Sequence, residues 1–479
     1  MNTFNSESAN IAKLEFIGLD TQYPTADGKR IRRLHLDGAA SPLACKAALD
    51  SIQFLLPHYS NTHSYVHNSA KITTKALTWA HNQVLNFVGA SPDTYTCIFS
   101  GAGTTAATNR IARGLHASRS DKSVVLVSEM EHHANDLPHR QFDNQVHYIP
   151  LTGSGAKMGA IDLHAFEMLL KEHQQKINYV AVSSVSNVTG ISNPISELTE
   201  LAHKYGAYIV VDAAQSVAHK PSNLDQSDVD FFIFSGHKVY APTAPGVLVA
   251  KKALLENMDG QDLGGGSVST VSYFDYQLAT SYPDREQSGT PNIVGAIALG
   301  GVLKTLSHAN MSNIRQAEEK VISRLLNELE QLEQLVIYGD LSAPRTGAIA
   351  FNHRSIDHGL LAAILNDYYA IAVRNECFCA HPYVSNLIKE ELWELDLSEV
   401  DEEQQENYLN RKRGMVRASI SAYTNDADID YFIHALKDIE KRFDELSPNY
   451  QALADGSYEH QTFALDWKSE LGALINDPE

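Results

Sequence analysis

The stretch Phe231-Phe232-Ile233-Phe234-Ser235-Gly236-His237-Lys238-Val239-Tyr240 changes character half-way. Its first five residues, four of them apolar and closed by Ser235, have strand length, and the next five open a loop that continues through Ala241-Pro242-Thr243-Ala244-Pro245-Gly246. Lys238 is thereby carried at the end of a strand, where parallel α/β sheets hold their ligands. Working outward, strand-length apolar runs recur at Tyr95 to Ser100, Ser123 to Ser128, Gln145 to Pro150, Tyr179 to Ser184, Ala207 to Asp212 and Gly246 to Ala250. Helical patterns separate them at Ala106 to Leu115, Leu163 to His173 and Pro194 to Tyr205, the last opening at a proline as a first helical turn prefers. Seven strands alternating with helices predict an α/β fold with a seven-stranded, mainly parallel sheet.

A long helical pattern runs from Ile293 to Leu335, with Leu299, Leu303, Leu306, Ile314, Val321, Leu325 and Leu332 at near-helical spacing. It reads as the bridge to a smaller α+β unit. The expected organisation is an N-terminal segment (1–34), a large domain (35–305), a small C-terminal domain (306–445) and a C-terminal extension (446–479). Within the small domain, Lys389 to Arg413 is crowded with acid and amide side chains, and an exposed helical insertion is expected near 384–413. A solvated face without function is the other reading of such a charge run.

The 479 residues, 43% of them hydrophobic, suffice for two or three packed domains. A net charge of −20, from 38 basic against 58 acidic side chains, would repel a phosphate backbone and gains nothing from anionic lipid. Nucleic acid and membrane surfaces are thus poor partners. The first thirty residues lack a basic start followed by an apolar core, and no apolar run approaches the roughly 20 residues of a membrane span, so a cytoplasmic protein is expected. The cysteines Cys45, Cys97, Cys377 and Cys379 are too few and too scattered for a disulfide framework.

Chemistry enters at the strand ends. A lone lysine usually serves solvation, but one at this place suits an aldehyde cofactor, which needs an amine of lowered pKa. Ser235 and His237 beside it offer hydrogen bonds to a phosphate. The run Val210-Val211-Asp212-Ala213-Ala214-Gln215 ends a strand in a carboxylate. Pyridoxal phosphate is an electron sink only while its ring nitrogen is protonated, and a buried aspartate holds that proton. A helix N-cap is the alternative for Asp212. In Ser100-Gly101-Ala102-Gly103-Thr104-Thr105-Ala106, small residues between strand and helix leave backbone N–H groups for a phosphate. His132, in Met130-Glu131-His132-His133-Ala134-Asn135, offers an imidazole to stack on a flat ring. A structural role is the other reading, and zinc is a poor match because adjacent histidines on a strand point to opposite sides.

Taken in order, these segments resemble the class V branch of the fold type I pyridoxal-phosphate enzymes, within it the SUF-type cysteine desulfurases and selenocysteine lyases. The resemblance runs from about Leu34 to Phe443. It is carried further by His35-Leu36-Asp37-Gly38-Ala39-Ala40-Ser41, Val185-Ser186-Asn187-Val188-Thr189-Gly190, Ser288-Gly289-Thr290-Pro291-Asn292, Val373-Arg374 and Val416-Arg417-Ala418-Ser419. It implies that Lys238 holds the cofactor as a Schiff base, His132 stacks on its ring, Asp212 pairs with its nitrogen, and Asn187 and Gln215 contact its O3′ side. Gly103, Thr104, Thr105, Ser235 and His237 would surround the phosphate. Thr290 would reach the neighbouring subunit's site, which implies a homodimer. Arg417, with Arg374, would grip the substrate carboxylate.

The same resemblance selects Cys379, five residues beyond Arg374 in Arg374-Asn375-Glu376-Cys377-Phe378-Cys379-Ala380-His381-Pro382, as the nucleophile that takes sulfur from L-cysteine as a persulfide and leaves alanine. An acceptor protein would then receive the sulfur. Cys377 stands where SUF-type members carry histidine, and Glu376 replaces their glycine. Cys-Phe-Cys looks more like the sulfurase domain of molybdenum-cofactor sulfurases, without the second domain of those proteins. Packing, tuning of Cys379 and resolution of a persulfide are all open for Cys377. The alternative activities are those of a class V aminotransferase, an epimerase, or a C–S or C–Se lyase acting on another amino acid. A silent scaffold is disfavoured by an intact Lys238, Asp212 and His132.

Overall fold

The computed structural model describes residues 14–258, 262–390, 413–453 and 455–472. The seven predicted strands form, within a residue or two at each end. They are β1 (Tyr95–Ser100), β2 (Val124–Ser128), β3 (Gln145–Ile149), β4 (Ile177–Ser183), β5 (Tyr208–Asp212), β6 (Phe231–Ser235) and β7 (Gly246–Lys251). They make one sheet in the order β1-β7-β6-β5-β4-β2-β3. Only β7 runs against its neighbours, pairing antiparallel with both β1 and β6. The remaining pairs are parallel. All residues of β2, β4 and β6 are buried, as expected for parallel strands covered by helices on both faces.

The helices used below are α1 (Lys46–Leu55), α2 (Asn68–Phe87), α3 (Gly103–Ser118), α4 (Leu163–His173), α5 (Ile195–Lys204), α6 (Ile293–Ala309), α7 (Met311–Glu330), α8 (His358–Tyr369), α9 (His381–Leu387) and α10 (Asp426–Leu446). Helix α4 begins at the Asp162 N-cap, whose side chain accepts from the N–H groups of His164 and Ala165. Pro194 is the N-cap of α5 rather than its first residue. The predicted continuous helix from Ile293 to Leu335 is two helices. They meet at Asn310, whose φ of 66° lies in the left-handed region and whose side chain caps α7 through the Ser312 N–H. Leu335 starts a strand instead of ending a helix.

The smaller unit holds a four-stranded sheet of β8 (Leu335–Ile337), β9 (Ala348–His353), β10 (Arg374–Glu376) and β11 (Met415–Ser419), in the order β8-β9-β11-β10. Its core joins Ile322, Leu325 and Leu329 of α7 to Phe351, Ile364 and Phe432. Leu306, Ala309, Met311 and Ile314 belong to the large core, so the two cores change hands inside α7. Two other segments also cross that division. Leu34 and Leu36 pack in the small core, with Leu34–His35 pairing parallel to Ile371–Ala372. Conversely Cys377, Phe378, Ala380 and the buried face of α9 (Tyr383, Val384, Leu387) join the large core.

The acidic insertion falls largely on residues 391–412, outside the described residues. Val384, Leu387 and Ile388 at its expected start are buried, because they anchor α9 and the turn that ends it. The C-terminal extension is partly structural: Tyr450 packs in the small core and donates from its hydroxyl to Asp367 Oδ2 at 3.0 Å. Among the described residues, no helix is long and apolar enough to cross a membrane.

Candidate active site

A cavity of about 560 Å³ opens where the parallel strands end. Each wall is the first stretch of chain after a strand: Gly101 to Thr105 after β1, His132 after β2, Asn187 after β4, Gln215 after β5, and His237 and Lys238 after β6, with Ser235 as that strand's last residue. The small domain supplies Arg374 from β10, Arg417 from β11 and Phe378 and Cys379 from the loop before α9. Twelve of the residues singled out from sequence therefore line one space. Asp212 stands directly behind it, buried at the end of β5.

Lys238 sits in the single 3-10 turn after β6. Burial lowers its ammonium to about 8, with the Asp212 carboxylate opposing that shift and Arg417 adding to it. Asp212 Oδ1 accepts from the Ala214 N–H at 2.9 Å, and burial nonetheless raises its carboxyl, with Lys238 opposing. Its other reading as an N-cap is not realised, since that N–H belongs to a turn and not to a helix. His132 Nδ1 accepts from the Ala134 N–H at 3.0 Å, which assigns the ring proton to Nε2. Burial, then Lys238, His133 and Arg417, hold this imidazole down to about 3, so the ring facing the cavity is neutral.

The loop after β1 approaches β6 closely. Thr104 N–H donates to Ser235 Oγ at 2.9 Å, leaving the Ser235 proton free to point into the cavity. Gly103 has φ +58°, and a Cβ there would lie 2.5 Å from Ser235 Oγ. Only glycine combines that conformation with that approach. Ala102, the N-cap of α3, supplies no side-chain cap; the Gly103 N–H goes to the Gly101 carbonyl at 2.9 Å and the Thr104 N–H to Ser235, which leaves the Thr105 N–H of the first turn for an occupant of the cavity. His237 Nδ1 lies 3.3 Å from Ser41 Oγ. Gln215 Nε2 donates to the Ala39 carbonyl at 2.7 Å and Asn187 Nδ2 to the Phe378 carbonyl at 2.7 Å.

Arg417 is buried, with Nη1 on the Asn187 carbonyl at 2.8 Å and Nη2 on Asp37 Oδ1 at 3.2 Å. The Phe378 ring lies over its guanidinium at 4.7 Å, and its Nε is buried without a partner. Arg374 stands directly across from it in the β10–β11 register, so two guanidiniums face one cavity. Asp37 and Phe378 complete this arrangement without having been expected to. Both lie in segments that carry the family resemblance, but their contact with Arg417 is non-local.

Cys379 is exposed at the cavity rim, whereas Cys377 is buried with its Sγ on the Arg413 carbonyl at 3.3 Å. Phe378 and Cys379 have φ of 52° and 56°, a conformation costing on the order of 1–2 kcal/mol for each non-glycine residue. Thr290 is the exception among the predicted site residues. It is exposed, bonded to Asn61 Oδ1 at 3.3 Å, and lines a second cavity of about 690 Å³ beside Arg110 and Asp262.

The family model described as Aminotransferase class-V matches residues 34–432. The chain belongs to the class-V aminotransferase family. That family comprises pyridoxal-phosphate enzymes. Among class-V relatives, a cysteine desulfurase of Escherichia coli O7:K1 (strain IAI39 / ExPEC) is 32% identical over 418 residues, which span 85% of this chain and 93% of the relative. The apo structure of a cysteine desulfurase from Thermococcus onnurineus NA1 matches with a TM-score of 0.74 at 28% identity, over 85% of this chain and 95% of that one. The cysteine desulfurase CsdA of Escherichia coli, in an S-sulfonic acid form, matches with a TM-score of 0.70 at 27% identity and the same coverage.

Proposed function

We propose that this protein is a pyridoxal-phosphate-dependent cysteine desulfurase, which moves the sulfur of L-cysteine to Cys379 and releases alanine. One observation carries the reading: an exposed cysteine thiol lines the same cavity as Lys238 and Arg417. The donor set fits the cofactor. Thr105 in the first turn of α3, with the Ser235 hydroxyl and His237, suits a phosphate, the neutral ring of His132 suits a flat cationic ring, and the buried Asp212 suits a protonated ring nitrogen.

When bound, pyridoxal phosphate supplies an electron sink for negative charge at the substrate α-carbon. Lys238, its amine poised near pH 8, removes the proton from that carbon. Arg417 takes the substrate carboxylate in a two-point bond, exchanging its contacts with Asp37 and the Asn187 carbonyl. The Cys379 thiolate attacks the substrate sulfur, forming an S–S bond as the Cβ–S bond breaks. The released electron pair passes into the carbon skeleton, which takes up protons to become alanine. Cysteine and one enzyme thiol thus give alanine and one enzyme persulfide, with no outside oxidant. The persulfide is then passed to a sulfur-acceptor protein.

The test is incubation of the cofactor-loaded protein with L-cysteine and a thiol reductant. Alanine and sulfide are expected in equal amounts. A protein that carries the cofactor yet makes neither product would overturn the assignment.

The homodimer belongs to this reading. Phe54, Val66, Tyr273 and Phe274 are 81%, 88%, 100% and 99% exposed, which is costly apolar surface for an isolated chain. Thr290, outside the cavity of its own chain, then serves the site of a second copy. Analytical ultracentrifugation is expected to give twice the mass of one chain, and Tyr273→Ser with Phe274→Ser to shift the equilibrium toward single chains.

A further inference from the structure

The loop bearing Cys379 is held from two sides. On one, the Asn187 side chain holds the Phe378 carbonyl. On the other, the His133 N–H donates to the Cys379 carbonyl at 2.7 Å. The rings of His133 and His381 stack there with centroids 4.9 Å apart and planes 7° from parallel. His381 Nδ1 faces His133 Nε2 at 3.2 Å, and the His381 backbone N–H approaches the same nitrogen at 3.4 Å. Between these anchors, Phe378 and Cys379 keep the left-handed conformation, which non-glycine residues rarely hold unless their surroundings fix it.

We propose that the His133–His381 stack is a clasp that positions the Cys379 loop for sulfur transfer, and that it opens when the pair takes up a second proton. The proposal rests on the desulfurase reading for its effect on turnover, but not for the clasp itself. While His133 Nε2 is unprotonated it accepts from His381. A first proton is shared between the two facing nitrogens; once both rings are protonated, an N–H faces an N–H and two cationic rings lie stacked. The charged groups facing His133 from its own turn are Asp136 and Arg140, which bond to each other, Arg140 Nε to Asp136 Oδ1 at 2.9 Å. Helix α9 contributes His381 and the loop contributes Cys379. Burial, then His381, holds His133 below an ordinary imidazole, so the clasp is closed at neutral pH and opens on the acid side. No third ligand joins the two rings: among the described residues no group of three His, Cys, Asp or Glu side chains is arranged for a metal.

The experiment compares His381→Ala and His381→Phe with the wild-type holoenzyme, using L-cysteine. His381 is an exposed side chain, so neither variant threatens the fold. His381→Ala is expected to lower kcat about tenfold while KM and the cofactor absorbance stay put. His381→Phe keeps a stacked ring without the facing nitrogens. It is expected to recover most of kcat and to lose the acid limb of the pH profile. A kcat in His381→Ala within about twofold of wild type, or an acid limb retained in His381→Phe, overturns the proposal. Labelling of Cys379 by iodoacetamide, read by mass spectrometry, reports on the clasp without turnover. His381→Ala is expected to label about threefold faster or more. Wild-type protein inactive on L-cysteine but showing that acceleration would refute the desulfurase reading and leave the clasp standing. Unchanged labelling would refute the clasp.

Discussion

Lys238→Ala is expected to reduce alanine formation from L-cysteine by about a thousandfold or more, with the fold intact. Lys238 is the one cavity amine that burial brings near neutrality, with a value of about 8 against the 10.5 of a free lysine side chain. Arg417 and Arg374 cannot replace it, because a guanidinium holds its protons at any working pH. The truncation removes a buried cation and three side-chain carbons from the wall of an open cavity, so circular dichroism and the melting temperature are expected to stay close to wild type. The pH dependence has a definite sign. Only the neutral amine attacks an aldehyde, so the rate at which apo-protein takes up pyridoxal phosphate, followed by absorbance, is expected to rise with pH and reach half its plateau near 8. A plateau approached only near the value of an ordinary lysine would mean that burial does not set this amine, and retained turnover in Lys238→Ala would remove it from the reaction.

How far the sequence leads depends on whether a feature is local. The strands were readable because β4 and β6 are fully buried runs, Ile177–Ser183 and Phe231–Ser235, rich in β-branched and aromatic residues. The order of residues around Asp212, Lys238 and Gly103 was readable for the same reason, since each follows a strand and parallel strands all end on one side. The division between α6 and α7 was not readable from apolar spacing, because Ala309 and Met311 on either side of Asn310 are both buried and the periodicity runs straight through. Only an asparagine in the left-handed region marks the break. The same limit applies to the surroundings of Arg417. Asp37 is 380 positions away along the chain, and Phe378 reaches the guanidinium only because the loop before α9 packs into the large core. The His133–His381 stack spans 248 positions, and neither residue carries a local signal of the other.

Cys379→Ala is expected to lower alanine formation at least about a hundredfold and to leave the cofactor in place, whereas Cys377→Ala stays within about twofold of wild type. The two thiols are one residue apart, yet their surroundings separate their chemistry. Cys377 is buried, burial pushes its thiol up to about 11, and its Sγ–H is engaged by the Arg413 carbonyl. At neutral pH it is a protonated, apolar-packed group, the state least suited to attack sulfur. Cys379 is exposed on the cavity rim with two guanidiniums, Arg374 and Arg417, on the same walls. Removing Cys377 costs packing instead, about 1 kcal/mol in thermal unfolding. The measurement pairs an alanine assay with mass spectrometry of the enzyme trapped after a single addition of L-cysteine. A mass increase of one sulfur atom is expected at Cys379 in wild type and in Cys377→Ala, and nowhere in Cys379→Ala. Sulfur found on Cys377 would give that thiol a relay role despite its burial, and full activity in Cys379→Ala would sink the desulfurase assignment while leaving Lys238 as the centre of some other class-V reaction.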